Sequence, residues 1–212
     1  MNFSTDRDLL ALEPNVFTDV PLVSQQRVGV NDGVVSETTL TSVTADFEAA
    51  GVDAGAVVLI GGVAHEVVGR VDAGTLTVSL PRARADGPAI VTSGGTGLEV
   101  SARTFELQAA LVHDLLLEAL GIDTDDARAM VTEAMIVSKR VMRQVEAVGA
   151  LERIYAGAVS VSGDRGMLWE KASFYHERFR RAFDRARILL DLDGDGVADT
   201  QRQLGVMRMS RV

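Results

Sequence analysis

Val57-Val58-Leu59-Ile60-Gly61-Gly62-Val63-Ala64-His65-Glu66-Val67-Val68 sets a Gly-Gly pair between two β-branched runs. Glycine reaches positive φ without a Cβ clash, so this pattern predicts a tight hairpin turn joining two antiparallel strands. A second alternating run, Thr75-Leu76-Thr77-Val78-Ser79-Leu80, follows a turn at Asp72-Ala73-Gly74, and Ala89-Ile90-Val91 follows Pro88. Strands this short and this closely spaced predict a small barrel or sandwich. Upstream, Asp6 to Leu12 has the pattern of one or two helical turns ended by Pro14, and the chain through Val28 is expected to run extended. The Gly-rich Ser93-Gly94-Gly95-Thr96-Gly97 has no following Lys, so a flexible linker is expected rather than a phosphate loop.

The texture changes near residue 100, where apolar residues begin to recur at helical spacing. Residues 1–100 are therefore expected to hold the N-terminal segment and a small β domain, and residues 101–212 a helical domain ending in a tail. The fold class that follows is α+β: an N-terminal barrel or sandwich and a C-terminal bundle of three or more helices. One helix is expected over Phe105–Leu120, with Leu107, Ala110, Leu111, Leu115 and Ala119 on its inner stripe and Gly121 as its stop. A second is expected to open at Asp123 or Thr124, where short polar side chains cap free amides, and to run through Val148 with a break at Gly149.

A third helix is expected from Met167 to Leu190, about 35 Å long at 1.5 Å per residue. Trp169, Ala172, Tyr175, Phe179, Ala182, Phe183, Ala186 and Leu190 recur every three or four residues and make its inner face. The opposite face is cationic: Arg178, Arg181 and Arg185 lie on one line, flanked by Arg180 and Arg187, with Glu177 one turn before Arg181. Such a line is either a solvated face or a contact surface.

The whole chain of 212 residues carries a net charge of −9, and the acids are unevenly spread: residues 1–100 hold 13 acidic against 5 basic side chains. An acidic front half repels phosphate, which argues against sequence-reading nucleic-acid binding. Cysteine is absent, which removes disulfides, thiolate metal sites and cysteine nucleophiles. No apolar run approaches the roughly 18 residues that a spanning helix needs. The N-terminus also lacks the order of a secretory signal, so a cytoplasmic chain that meets no membrane is expected.

Asp191-Leu192-Asp193-Gly194-Asp195-Gly196-Val197-Ala198-Asp199 is the sharpest local motif. Carboxylates at loop positions 1, 3, 5 and 9 with Gly at 6 match the opening of a calcium loop, making Asp191, Asp193, Asp195 and Asp199 candidate Ca²⁺ ligands. Position 12, where a bidentate Glu belongs, is Arg202; the alternative is an acidic turn that ends the third helix and holds no ion. His65-Glu66 begins like a zinc-protease motif but lacks the second His, and His113 and His176 stand without a partner at a recognisable spacing. No nucleophile, metal set or phosphate loop points to catalysis, so a non-enzymatic protein without a cofactor other than Ca²⁺ is expected. Beyond the acidic motif, Val206-Met207-Arg208-Met209-Ser210-Arg211-Val212 is apolar and basic with no acid, a composition suited to docking on a partner.

The run Leu168-Trp169-Glu170-Lys171-Ala172, Tyr175 and Arg178-Phe179, closing in Leu190-Asp191 through Asp199 and a basic tail, resembles the head-to-tail adaptor (connector) proteins of tailed-bacteriophage necks. Thr39-Leu40-Thr41-Ser42, Ala45-Asp46-Phe47 and Gly51 to Val58 are similar in style to small β domains of virion neck and tail proteins. The resemblance implies a structural virion protein, assembled in the host cytoplasm as a homo-oligomeric ring, typically of twelve, beneath the portal protein ring. It further implies that the tail Val206–Val212 docks on the portal, that stopper or tail proteins bind the other end, and that double-stranded DNA passes unread through the lumen. Arg178, Arg181 and Arg185 would then line the lumen or bridge to an acidic neighbouring subunit, and the excess of acids favours the bridge. A stopper or tail-completion protein of the same neck and a calcium-responsive binding module are the rival readings.

Overall fold

A computed structural model of the chain describes residues 2–124, 129–162 and 166–205. It is α+β, and it divides into two compact units, Thr5–Glu106 and Met1–Ser4 with Leu107–Val212. The first unit is thus inserted into the second near its start. The change of texture read at residue 100 falls inside a strand, and the unit boundary lies at Glu106.

The inserted unit is a closed barrel of six antiparallel strands in the order β1-β2-β5-β4-β3-β6. The strands are β1 (Gln26–Ser36), β2 (Thr39–Thr41), β3 (Val57–Ile60), β4 (Val63–Asp72), β5 (Thr75–Ser79) and β6 (Gly95–Arg103). The Gly61-Gly62 turn forms as expected, with both residues at positive φ and Ile60 paired to Val63. β1 and β6 close the cylinder, Val30 opposite Val100. Alternate residues point inward, so Val58, Ile60, Leu76, Val78, Val100 and Ala102 meet Val28, Leu40, Phe47 and Val67 in one core. Each such side chain contributes about 1.5–3 kcal/mol when fully buried.

Both faces of β3 are buried. Helix α1 (Asp6–Leu12) packs on β3 and β4 within this unit and buries Leu9 and Leu10. Its first turn is held by Asp8 Oδ2, which accepts the Thr5 amide at 2.9 Å, and Glu13 and Pro14 end it. A short helix α2 (Val16–Asp19) and a 3-10 turn at Val23–Gln25 follow, where an extended run was expected. Ala89-Ile90-Val91 is not a strand: the Ile90 amide donates to Ser79 Oγ at 2.8 Å instead of joining a ladder. Nor are residues 93–97 a free linker, because Gly95 to Gly97 open β6.

The second unit contains α3 (Glu106–Ala119), α4 (Lys139–Ser162), α5 (Met167–Arg185) and a hairpin of β7 (Arg187–Leu190) with β8 (Thr200–Gln203). Tyr155 stacks on Tyr175 with centroids 5.7 Å apart, and Gly149 faces Phe179, so α4 and α5 run antiparallel. Helix α4 passes through Gly149 without a break. A Cβ there would lie 2.7 Å from Phe179 and 2.8 Å from Val112, so glycine permits the close helix approach. Val112, Leu116, Leu120, Met142, Val145, Ile188 and Leu204 share the core of this unit.

Three helix expectations change. The inner stripe of α3 is Ala109, Val112, His113, Leu116 and Leu117, whereas Leu107 and Leu111 are 67% and 49% exposed. This helix is apolar around much of its girth, so periodicity alone does not choose the buried side. The helix expected from Asp123 starts instead at Lys139, after a 3-10 turn at Glu133–Met135; Asp125–Arg128 lie outside the described residues. The third helix ends at Arg185 rather than Leu190. Ile188 and Leu190 alternate with exposed neighbours in β7, and Ile136 bridges to Leu190 at its edge. Trp169, expected inside, is 55% exposed. Among the described residues, no helix is long and apolar enough to cross a membrane.

Candidate functional site

The arginine line lies on α5 as the spacing requires. Arg181 and Arg185 are exposed and Arg178 is half-buried. Arg181 reaches Glu177 at 3.8 Å, an exposed one-turn pair that contributes only a few tenths of a kcal/mol. Among the described residues, Arg178 and Arg185 make no ion pair. Extending the same spacing toward the start of the helix gives Met167, Lys171 and Phe174, so the line is longer than its arginines. Phe174 is 58% exposed and stands edge-on to buried Tyr175 at 5.1 Å. Lys171 Nζ sits 5.3 Å from the centre of the Tyr155 ring, which fixes the amine at the edge of the stripe. Residues Phe179 and Phe183 take the inner side against the core. Arg180 is exposed on α5, and Arg187 has left the helix for β7.

The acidic motif is the loop of the β7–β8 hairpin rather than a helix stop. Ligand oxygens of Asp191, Asp193 and Asp195 lie within 4.8 Å of one another. The fourth candidate, Asp199, does not join them: its Oδ2 accepts the Leu192 amide at 2.6 Å. Asp191 accepts the amides of Gly194 at 2.7 Å and Gly196 at 2.8 Å. The Gly196 hydrogen bond holds the Asp191 carboxyl below its usual range, with burial opposing. Arg202, at loop position 12, donates to the Leu120 carbonyl and leaves no acid there. Three carboxylates with open water positions can hold a hard cation weakly. The expected docking tail Val206–Val212 lies outside the described residues.

Two buried polar clusters were not visible in the sequence. His113, read there as unpartnered, is buried, and its Nδ1 donates to Glu146 Oε2 at 2.9 Å while Nε2 lies 3.5 Å from Glu133. Glu146 is fully buried on α4 and also accepts the amides of Phe3 at 3.1 Å and Ser4 at 2.7 Å and the Ser4 hydroxyl at 2.7 Å. Four donors thus fill the lone-pair positions of one carboxylate, and Phe3 lies on the His113 ring at 4.7 Å. His176 is exposed on α5, with Nδ1 3.3 Å from Glu152.

In the barrel unit, His65 and Glu66 are both buried on β4. Glu66 takes the guanidinium Nε of both Arg7 and Arg82 and the Arg82 amide at 2.9 Å. Arg82 also donates to the Gly87 carbonyl at 2.6 Å, and Arg7 to the Arg82 carbonyl at 2.7 Å. A buried carboxylate shared by two arginines, each with a further acceptor, fastens the loop after β5 to α1 and β4. His65 Nδ1 must carry a proton to donate to the Val63 carbonyl at 2.8 Å, which leaves Nε2 to accept from Thr92 Oγ1. Burial lowers the His65 pKa, with the Val63 contact opposing. These groups hold segments of the fold in place, since their hydrogen bonds go to other parts of the chain.

The two units differ in charge balance: the helical unit, with 16 acidic against 15 basic side chains, is nearly neutral, whereas the barrel unit is not. Thr5–Glu106 carries 14 acidic against 6 basic side chains, while the arginine and lysine stripe belongs to α5. No protein-family model, curated protein or solved structure matches the chain.

Proposed function

We propose that the chain is a non-catalytic structural subunit of the neck of a tailed bacteriophage, an adaptor that assembles as a ring between the portal and the stopper or tail proteins. The observation that carries this reading is the cationic row along α5, in which Arg178 and Arg185 make no ion pair among the described residues, in a chain whose inserted barrel is strongly acidic. A subunit with a cationic row on a helix of one unit and a strongly acidic second unit is suited to meeting further copies of itself. On this reading α3, α4 and α5 make the adaptor's helical bundle, supported by the core they share. The tail Val206–Val212 docks on the portal, and DNA passes through the lumen without being gripped, since an acidic wall offers few phosphate contacts. The ring forms in the host cytoplasm and remains in the virion neck.

The closed six-stranded barrel favours a second reading within the same neck, a stopper or tail-completion protein, which would bind tail components instead of the portal. Mixing the purified chain with portal rings and imaging the product by electron microscopy tests the proposal. A ring seated on the portal is expected. Binding to tail components alone would move the assignment to the second reading, and binding to neither would refute both.

A further inference from the structure

We infer that the stripe Met167, Lys171, Phe174, Arg178, Arg181 and Arg185 on α5 docks on the loop end of the barrel of a second copy of this chain. This rests on the assembling-subunit reading above and names the two surfaces that meet.

The barrel end is defined by hydrogen bonds. The Ser42 amide donates to the Gly74 carbonyl at 3.0 Å and the Phe47 amide to the Ala73 carbonyl at 2.7 Å, which ties the loop after β2 to the β4–β5 turn. The Arg70 amide donates to Asp53 Oδ1 at 3.3 Å and brings the end of that loop to the same place. Asp46, Glu48, Asp53 and Asp72 are exposed there. Arg70 is the cation set among them, 4.0 Å from Glu48 and 3.7 Å from Asp53. Two apolar side chains stand out of this acidic surface: Val43, 97% exposed, and Val71, also exposed.

The α5 stripe is its counterpart in charge and in shape class. Phe174 and Met167 are exposed apolar groups set in a cationic row, as Val43 and Val71 are set in an acidic one. An aromatic anchor framed by charges is the pattern that concentrates binding energy at an interface, and charges of opposite sign fix its register. Because the two surfaces are different parts of the chain, the contact is head-to-tail, and such a contact repeats from copy to copy, giving a ring where the rotation closes and an open filament where it does not.

The test uses full-length chains in sedimentation velocity at low and high salt. Three variants are made: Arg178→Glu with Arg181→Glu and Arg185→Glu; Asp46→Lys with Glu48→Lys, Asp53→Lys and Asp72→Lys; and Phe174→Ala. The wild-type chain should associate at low salt and dissociate as salt screens the contact. Each charge-reversed chain alone should be monomeric, and an equimolar mixture of the two should associate again. Phe174→Ala should weaken association roughly tenfold or more. Circular dichroism checks folding, and if one charge-reversed chain does not fold, the other and Phe174→Ala carry the test. Reversed chains that associate like wild type, a mixture that stays monomeric, or a wild-type chain that is monomeric at about 100 µM overturns the inference. Portal binding measured on the same chains separates this result from the parent reading: portal binding with association indifferent to the reversals sinks only the contact, and restored association without portal binding sinks only the neck assignment.

Discussion

Replacing Glu146 by Gln keeps the size of the side chain and removes half of its acceptor capacity. In the native arrangement the two carboxylate oxygens receive the Phe3 and Ser4 amides, the Ser4 hydroxyl and His113 Nδ1, with no exposure to water. Glutamine offers one oxygen and turns an NH₂ toward the remaining donors, so at least one or two buried donors lose their partner. Each orphaned buried donor costs about 1–3 kcal/mol. A loss of roughly 2–6 kcal/mol is therefore expected for two orphaned donors, a large part of the 5–15 kcal/mol typical of a whole domain. Urea unfolding measures the loss, and amide exchange at Phe3 and Ser4 locates it: both amides should lose protection in the variant while the strands of the barrel keep theirs. If Glu146→Gln unfolds within about 1 kcal/mol of wild type with Phe3 and Ser4 still protected, the carboxylate does not hold the N-terminal segment and the reasoning fails.

Asp6 provides a pH test. Burial pushes its carboxyl from 3.8 up to about 6, against the opposing hydrogen bond from the Phe105 amide at 2.8 Å. The folded state therefore holds this proton more tightly than the unfolded state, and the contribution is complete below pH 3.8 and lost as pH rises to about 6. Asp6→Asn should match wild type near pH 4 and exceed it in melting temperature above pH 6; a difference that does not grow with pH contradicts the shift. Two glycines of α4 should respond in opposite senses. A Cβ at Gly157 would meet nothing within 4 Å, so Gly157→Ala should stabilise by about 0.5–1 kcal/mol. Gly149→Ala should raise the helix's intrinsic preference yet lose about 1–3 kcal/mol to overpacking against Phe179 and Val112; equal denaturation midpoints for the two variants would count against the close packing. The β7–β8 loop satisfies its own carboxylates, so EGTA should leave thermal unfolding unchanged, and 1 mM Ca²⁺ should add only about 0.4 kcal/mol if it binds with a Kd of about 1 mM. A melting-temperature rise above about 5 °C would make the loop a true calcium site.

The elements legible in the sequence are those whose local chemistry admits one answer. Gly61-Gly62 between β-branched runs forms its hairpin, and Asp6–Leu12 before Pro14 forms its helix. Strand β1 is not legible in the sequence because Gly29, Asn31, Asp32 and Gly33 interrupt its alternation, and its place is set by pairing with β6 about seventy residues away. Leu189 and Leu190 continue the periodicity of α5 and were read as helix; the partner strand Thr200–Gln203 and the bridge to Ile136 decide otherwise. The arginine line was readable because its members share one helix, and the same spacing would have supplied Lys171 and Phe174. The contacts of Glu146 and Glu66 were not, since the Ser4 amide is 142 residues from one and the Arg7 guanidinium 59 from the other.

A ribosome makes the two units in an order that their connectivity turns into a delay. Every strand of the barrel has left the exit channel once Arg103 and some tens of residues behind it are translated, so that unit can close while most of α4 is still unwritten. Ser4, by contrast, must wait for Glu146, and the helices must then recruit a segment translated well before them. That contact spans 142 residues and is made against the cost of closing a long loop, though a loop already shortened by a finished barrel within it. A destabilised barrel would lengthen that search, and the slowed step would register in the helices before any defect showed in the strands.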